Sequence, residues 1–109
     1  MHELSIVEGV IETVCERLPG ARVTSVRLTV GALSGVVTDA LLFCFDLATE
    51  GTSLAGATLE ITPVPGECRC RSCGARFTPD SPILLCPCGS ADAEVLAGQE
   101  LVIASVKVA

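Results

Sequence analysis

The sequence predicts an α+β fold in which two helices cover one face of a three-stranded mixed sheet and a four-cysteine lobe is inserted before the last strand. Three observations carry this. Apolar spacing switches between three- or four-residue steps and alternation, in the order helix, strand, helix, strand. Five of the seven cysteines crowd into residues 66–98, a stretch with little periodicity. After it, Leu-Val-Ile-Ala-Ser-Val-Lys-Val at 101–108 is a plain strand. The expected division is therefore 1–65 plus 99–109 as the α/β domain and 66–98 as the lobe.

The first helix is predicted from Leu4, Val7, Ile11, Val14 and Leu18, which recur on one helical face with Val10 and Cys15 beside it. Glu8, Glu12 and Glu16 lie one turn apart on another face and should be solvated. Pro19-Gly20 stops the helix. Val26, Leu28 and Val30 alternate with Arg27 and Thr29, which predicts a strand over 23–30. Thr38 has the chemistry of an N-cap for a second helix over 39–48, with Leu41, Leu42, Phe45 and Ala48 facing inward and Gly51 beyond its end. A second strand runs from Thr58 to Val64, closed by Pro63 and Pro65. The strand–helix–strand unit should cross over right-handed and parallel, with the last strand pairing back antiparallel.

Composition narrows the function classes. Thirteen acids against seven basic residues give a net charge of −6, which argues against nucleic acid and against an anionic membrane surface. No apolar run approaches the ~20 residues of a membrane span, and no basic stretch leads into an apolar h-region. A cytoplasmic protein is the expectation, in which cysteines serve as thiols or metal ligands and not as a disulfide framework. The single histidine is His2, no Ser/His or Cys/His pair is in reach, and no phosphate-cradling glycine loop is present, so an enzyme is not expected.

The lobe reads as a metal site. Cys70-Arg-Ser-Cys73-Gly74 is one cysteine turn, Cys86-Pro87-Cys88-Gly89 is a shorter second one, and twelve residues separate them. Two such turns facing each other supply four thiolates at tetrahedral spacing, and glycine after each pair permits a tight turn around sulfur. Zinc, held structurally in a zinc-ribbon-like lobe, is the metal this donor set favours. Cys68 is a fifth thiol and could replace Cys70 in the set. A redox Cys-x-x-Cys is the competing chemistry, but such motifs open a helix after a strand, whereas Gly74 and Pro79 bracket this one. Cys15 and Cys44 lie within helices and read as small core hydrophobes. Apart from the cysteines the lobe offers only Phe77, Ile83, Leu84 and Leu85 as apolar filling.

The start of the sequence is a second candidate site. A metal bridging the Met1 amine and the His2 amide nitrogen closes a five-membered ring, and the His2 amide with its own Nδ1 closes a six-membered one. Glu3 can add a carboxylate or a further backbone nitrogen. Such nitrogen-rich, tetragonal sets favour Ni(II) or Cu(II). The alternative is a stray polar residue on a frayed terminus.

Motifs along the sequence tip this balance. Met1-His-Glu-Leu-Ser5, Val26-Arg-Leu-Thr-Val-Gly31 with Val36-Val37, Leu42-Phe43-Cys44-Phe45, Leu54-Ala-Gly-Ala-x-Leu59, Cys86-Pro-Cys-Gly-Ser90 and Gly98-Gln-Glu-Leu-x-Ile103 occur in order over essentially the whole chain. Together they resemble the HypA family, the hydrogenase-maturation nickel metallochaperones of HypA/HybF type. The resemblance implies a nickel domain plus a zinc lobe, with Ni(II) at Met1, His2 and Glu3 and a structural Zn(II) in four cysteines, matched here to Cys70, Cys73, Cys86 and Cys88. It also implies the GTPase accessory protein of the same pathway, the nickel-hydrogenase large subunit and urease maturation proteins as partners. The departure is Cys86-Pro-Cys88 where the family more often has Cys-Pro-x-Cys, which bears on the fourth zinc ligand. The competing reading of the chain is a zinc-ribbon protein-interaction module without nickel transfer.

Overall fold

A computed structural model describes residues 2–79 and 83–109; Met1 lies outside them. The elements run α1 (Glu3–Arg17), β1 (Val23–Gly31), α2 (Thr38–Ala48), β2 (Thr58–Val64), β3 (Glu67–Cys70), β4 (Arg76–Phe77), β5 (Ala93–Ala97) and β6 (Leu101–Val108). β1 is central in a three-stranded sheet of order β2-β1-β6. A second sheet, order β4-β3-β5, is built entirely within the cysteine segment.

The chain divides into two compact units. One holds the chain up to Leu28 with Val36–Thr62 and Val102–Ala109; the other holds Thr29–Gly35 and Pro63–Leu101. The end of β1 and the turn after it thus fold with the cysteine segment. Backbone bonds explain why: Gly31 N–H donates to the Glu100 carbonyl at 2.7 Å, Ala32 to Val64 at 2.8 Å and Leu33 to Gly98 at 2.6 Å.

In the first unit, α1 and α2 pack together, and Val26 and Leu28 of β1 bury with Val7, Val10, Val14, Leu41, Phe45, Leu54 and Leu59. Each such side chain contributes about 1.5–3 kcal/mol by leaving water. Strand alternation sends Arg27 to the other, solvated face, where its guanidinium pairs with Glu60 at 3.1 Å.

Both helices are rotated from their predicted faces. α1 buries Glu3, Val7, Val10 and Val14, while Leu4 is exposed. Leu42 of α2 is exposed as well. The reason lies at the helix heads. Val37, not Thr38, is the N-cap of α2, and its amide donates to Glu3 Oε2 at 3.2 Å. A carboxylate drawn inward to meet that amide turns Leu4 outward. Neither Cys15 nor Cys44 is fully buried; Cys15 Sγ sits 3.7 Å from the Ser53 hydroxyl.

The second unit contains three strands where the sequence suggested irregular chain. They are short, and β3 pairs antiparallel with both neighbours: Cys68 faces Phe77 on one side and Val95 on the other. Phe77 is only half-buried, and Ile83 and Leu85 are exposed. Cys68, Cys70 and Cys86 are among the few side chains fully inside, so sulfur supplies much of this unit's interior.

Candidate metal centres

Each cysteine turn is built by its own backbone. At the end of β3, the Gly74 amide returns to the Cys70 carbonyl at 2.9 Å and the Cys70 amide donates to Ala75 at 2.9 Å. In the second turn the Gly89 amide donates to Cys86 at 2.8 Å and the Cys86 amide to Ser90 at 2.9 Å. Both turns need a left-handed residue: Gly74 has φ 78° and Gly89 φ 95°. The Ser72 and Ser90 hydroxyls, 2.8 Å apart, join the two turns. The side-chain reach of that pair had no signal in the spacing.

The result is a cluster in which the Sγ atoms of Cys70, Cys73, Cys86 and Cys88 all lie within 4.8 Å of one another. Cys70 and Cys88 are 3.7 Å apart, as are Cys73 and Cys86. A tetrahedron with metal–sulfur bonds of about 2.3 Å has edges of roughly 3.8 Å, so these thiols are already at metal-binding separation. The shortened Cys86-Pro-Cys88 turn reaches the cluster in full. Cys68 does not join it; it is buried between its strand partners.

Electrostatics of the cluster call for a cation. The Cys73 amide, helped by the Ser72 amide and the neighbouring Cys88 and Cys86 thiols, draws Cys70 down to about 6 against the opposing effect of burial. Cys86 moves the other way. The Cys88 amide favours its thiolate, but burial and the crowding of Cys88, Cys73 and Cys70 push it up to about 12. The four thiols cannot share four negative charges unaided, and a bound metal ion removes that repulsion.

At the other end of the sequence, His2 is exposed and occupies the N-cap of α1, with no side-chain capping bond. Its carbonyl accepts from the Ile6 amide at 3.0 Å. Amides at a helix head have no intrahelical acceptor, so the His2 nitrogen is not committed to the helix. Its Nε2 lies 3.8 Å from Glu3 Oε2, which leaves Nδ1 for other contacts. Glu3 is only 4% exposed. The charged amino terminus first, and then the Val37 amide, hold its carboxyl down at about 2. Met1, the remaining member of the expected set, lies outside the described residues.

A small α+β protein with four thiols gathered closely enough to hold a metal ion is what the fold and the cluster define. Its kinship is specific. Residues 1–108 match the family model described as hydrogenase/urease nickel incorporation, metallochaperone, HypA. The hydrogenase maturation factor HypA of Nostoc punctiforme is 44% identical over 108 residues, covering 99% of this chain and 96% of that one. The HypA of Geotalea uraniireducens is 44% identical over 109 residues, covering 99% of both. The solution structure of the nickel metallochaperone HypA from Helicobacter pylori shares the fold, with a TM-score of 0.64 at 22% identity over 99% of this chain and 97% of that one. The chain belongs to the HypA family, whose members are nickel-incorporation metallochaperones of hydrogenase maturation and not enzymes.

Proposed function

We propose that this chain binds Ni(II) at its amino terminus through Met1, His2 and Glu3 and hands it over during nickel-hydrogenase maturation, with Zn(II) held structurally by Cys70, Cys73, Cys86 and Cys88. The observation that carries the zinc half is the 3.7 Å sulfur spacing across the two turns. Zinc there supplies cross-linking, not chemistry: the residues around it are the fold's own, and this unit has little else to bury.

The nickel half is supported by the placement of His2. An exposed imidazole on an N-cap, next to an amide outside the helical ladder, suits a site that must load and unload. Donors at a chain end can be replaced one at a time by a receiving protein. Affinity alone cannot select nickel, since Cu(II) binds nitrogen donors more tightly, so selectivity rests on partner contact and supply. Glu3 enters at a cost. Its Oε2 already accepts from Val37, so nickel claims that carboxylate only in competition with the α2 amide. The positive end of the α1 dipole also disfavours a cation, which Glu3 and the deprotonated His2 amide offset.

The partners this reading implies are the GTPase accessory protein of the pathway and the hydrogenase large subunit, with urease maturation proteins as a second client set, all in the cytoplasm. Any nucleotide-driven step belongs to the partner. Metal analysis of purified, untagged protein tests the whole reading: one zinc as isolated and one nickel after loading, with His2→Ala keeping zinc and losing nickel. Zinc alone under both conditions would instead favour an interaction module that carries no nickel.

A further inference from the structure

The helix layer leaves apolar surface uncovered on one side. Leu4 of α1 is 46% exposed, and Leu47 of α2 is 54% exposed. With Ile11 and Ala48 as a half-buried floor, they shape a shallow groove of about 490 Å³ between the two helices. Phe43 precedes Leu47 by one turn, so it extends the same stripe, and it is 65% exposed. The sequence has three aromatic residues. Leaving one of them in water is a poor use of a core former, whereas exposed aromatics suit the centre of an interface.

The charge around this groove is one-sided. Glu8 and Glu12 form its α1 rim. Asp39 and Asp46 flank Phe43 and Leu47 on α2, and Glu16 continues the α1 row. Among the described residues, none of these five carboxylates is in an ion pair, and Arg17 is the one basic residue within either helix. Like charges at i, i+4, as in Glu8, Glu12 and Glu16, cost a few tenths of a kcal/mol each in an isolated helix, a cost that a cationic partner relieves. A second copy of this chain would bring the same acids to the contact, and an anionic membrane surface would be repelled.

We propose that this groove docks an amphipathic helix of a partner protein, one with leucine-like residues at i, i+3, i+4 and i+7 and lysine or arginine along both flanks. This is the helix-in-groove mode, with apolar anchors for affinity and a charged rim for register and approach rate. Leu4 is two residues from His2, so a helix seated there lies beside the start of α1. The inference does not depend on which atoms hold nickel, and the test needs none.

The test uses the full, zinc-loaded chain and two synthetic stapled helices carrying the same leucine pattern, one flanked by lysine and arginine and its twin by glutamate. Fluorescence anisotropy at about 0.1 M salt, where surface charges are still felt over about 10 Å, gives both affinities. The basic helix is expected to bind at least ~10-fold tighter than the acidic twin, equivalent to at least ~1.4 kcal/mol. The Glu8→Lys/Glu12→Lys variant leaves three of the five acids in place against two new lysines, so the preference should shrink to within about 2-fold. Phe43→Ser/Leu47→Ser should remove binding while leaving the circular dichroism spectrum unchanged, since both side chains face water. Equal binding of the twins, no binding up to about 1 mM, or amide shifts centred away from 4–12 and 43–48 would overturn the proposal. So would a dimer in sedimentation that Leu47→Ser dissociates, because a second copy would then be the occupant.

Discussion

Replacing Gly31 by alanine should cost this small protein a large part of its stability. The position has no room for a methyl group. A Cβ built on Gly31 would fall 2.0 Å from the Gly98 carbonyl oxygen, 2.2 Å from its carbon and 2.7 Å from the Gln99 nitrogen. All three are backbone atoms, so no side chain can swing aside. That same Gly98 oxygen accepts the Leu33 amide at 2.6 Å, and Gly31 itself donates to Glu100 at 2.7 Å. Relief therefore requires separating the two segments and losing at least one bond. Overpacking of this kind costs about 1–3 kcal/mol and the bond about 1 kcal/mol more, roughly 2–4 kcal/mol together. For a domain of this size the melting temperature should fall by about 10–25 °C. Calorimetry on zinc-loaded protein, at fixed zinc because bound metal shifts the transition, measures it. Gly9→Ala is the internal control: that glycine lies within α1 with nothing within 4 Å of its would-be Cβ. It should gain about 0.5–1 kcal/mol from helix propensity and melt a few degrees higher. If Gly31→Ala melted within about 4 °C of the parent, the close approach of these two backbones would be wrong.

Other outcomes follow from the two sites. Cys73→Ser should release zinc and expose 67–97 to hydrogen exchange while α1 and α2 stay protected; metal analysis and exchange together show whether the loss is confined. Zinc affinity should fall with pH: the Cys86 thiol, at about 12, is still protonated near neutrality, so binding displaces at least one proton and weakens by at least about tenfold per unit of acidification. Glu3 titrates at about 2 when folded against an ordinary 4.5, so its contribution is complete above about 4.5 and is lost as pH falls towards 2. The urea midpoint of the parent should therefore converge on that of Glu3→Gln as pH drops through that window; a gap that stayed constant would mean the carboxylate is not engaged in the folded chain. His2→Ala should lose nickel while keeping zinc and the parent melting curve, read by metal analysis and circular dichroism.

Local periodicity carried most of the main elements into view. β2 and β6 stand where alternation put them, and α1, β1 and α2 lie within a residue of expectation. What local patterns could not reveal were contacts made over distance. Glu3 turned α1 by meeting an amide 34 residues away, and no helical wheel drawn on α1 alone contains Val37. Thr38 had the chemistry of a cap, yet the chain took its helical turn one residue earlier, at Val37. β3, β4 and β5 escaped because strands of four, two and five residues are too short to show a period, and they close around sulfur instead of an aliphatic stripe. The choice between Cys68 and Cys70 was likewise open: two residues apart on a strand, they share a face. Pairing decides it. Cys68 is held opposite Phe77 and Val95, whereas Cys70 sits where β3 enters its turn and can reach the other thiols.

The central claim is that a free amine beside His2 is the handle by which nickel is held and released. Acetylating the terminus of the otherwise native, zinc-loaded chain removes one donor and the charge beside Glu3, while the Val37 amide still engages that carboxylate. Ni(II) titration of blocked and unblocked protein, followed by transfer to a chelator, tests that claim most directly. The blocked chain should lose nickel binding with its zinc still in place; loading and release at the parent's affinity and rate would contradict the account.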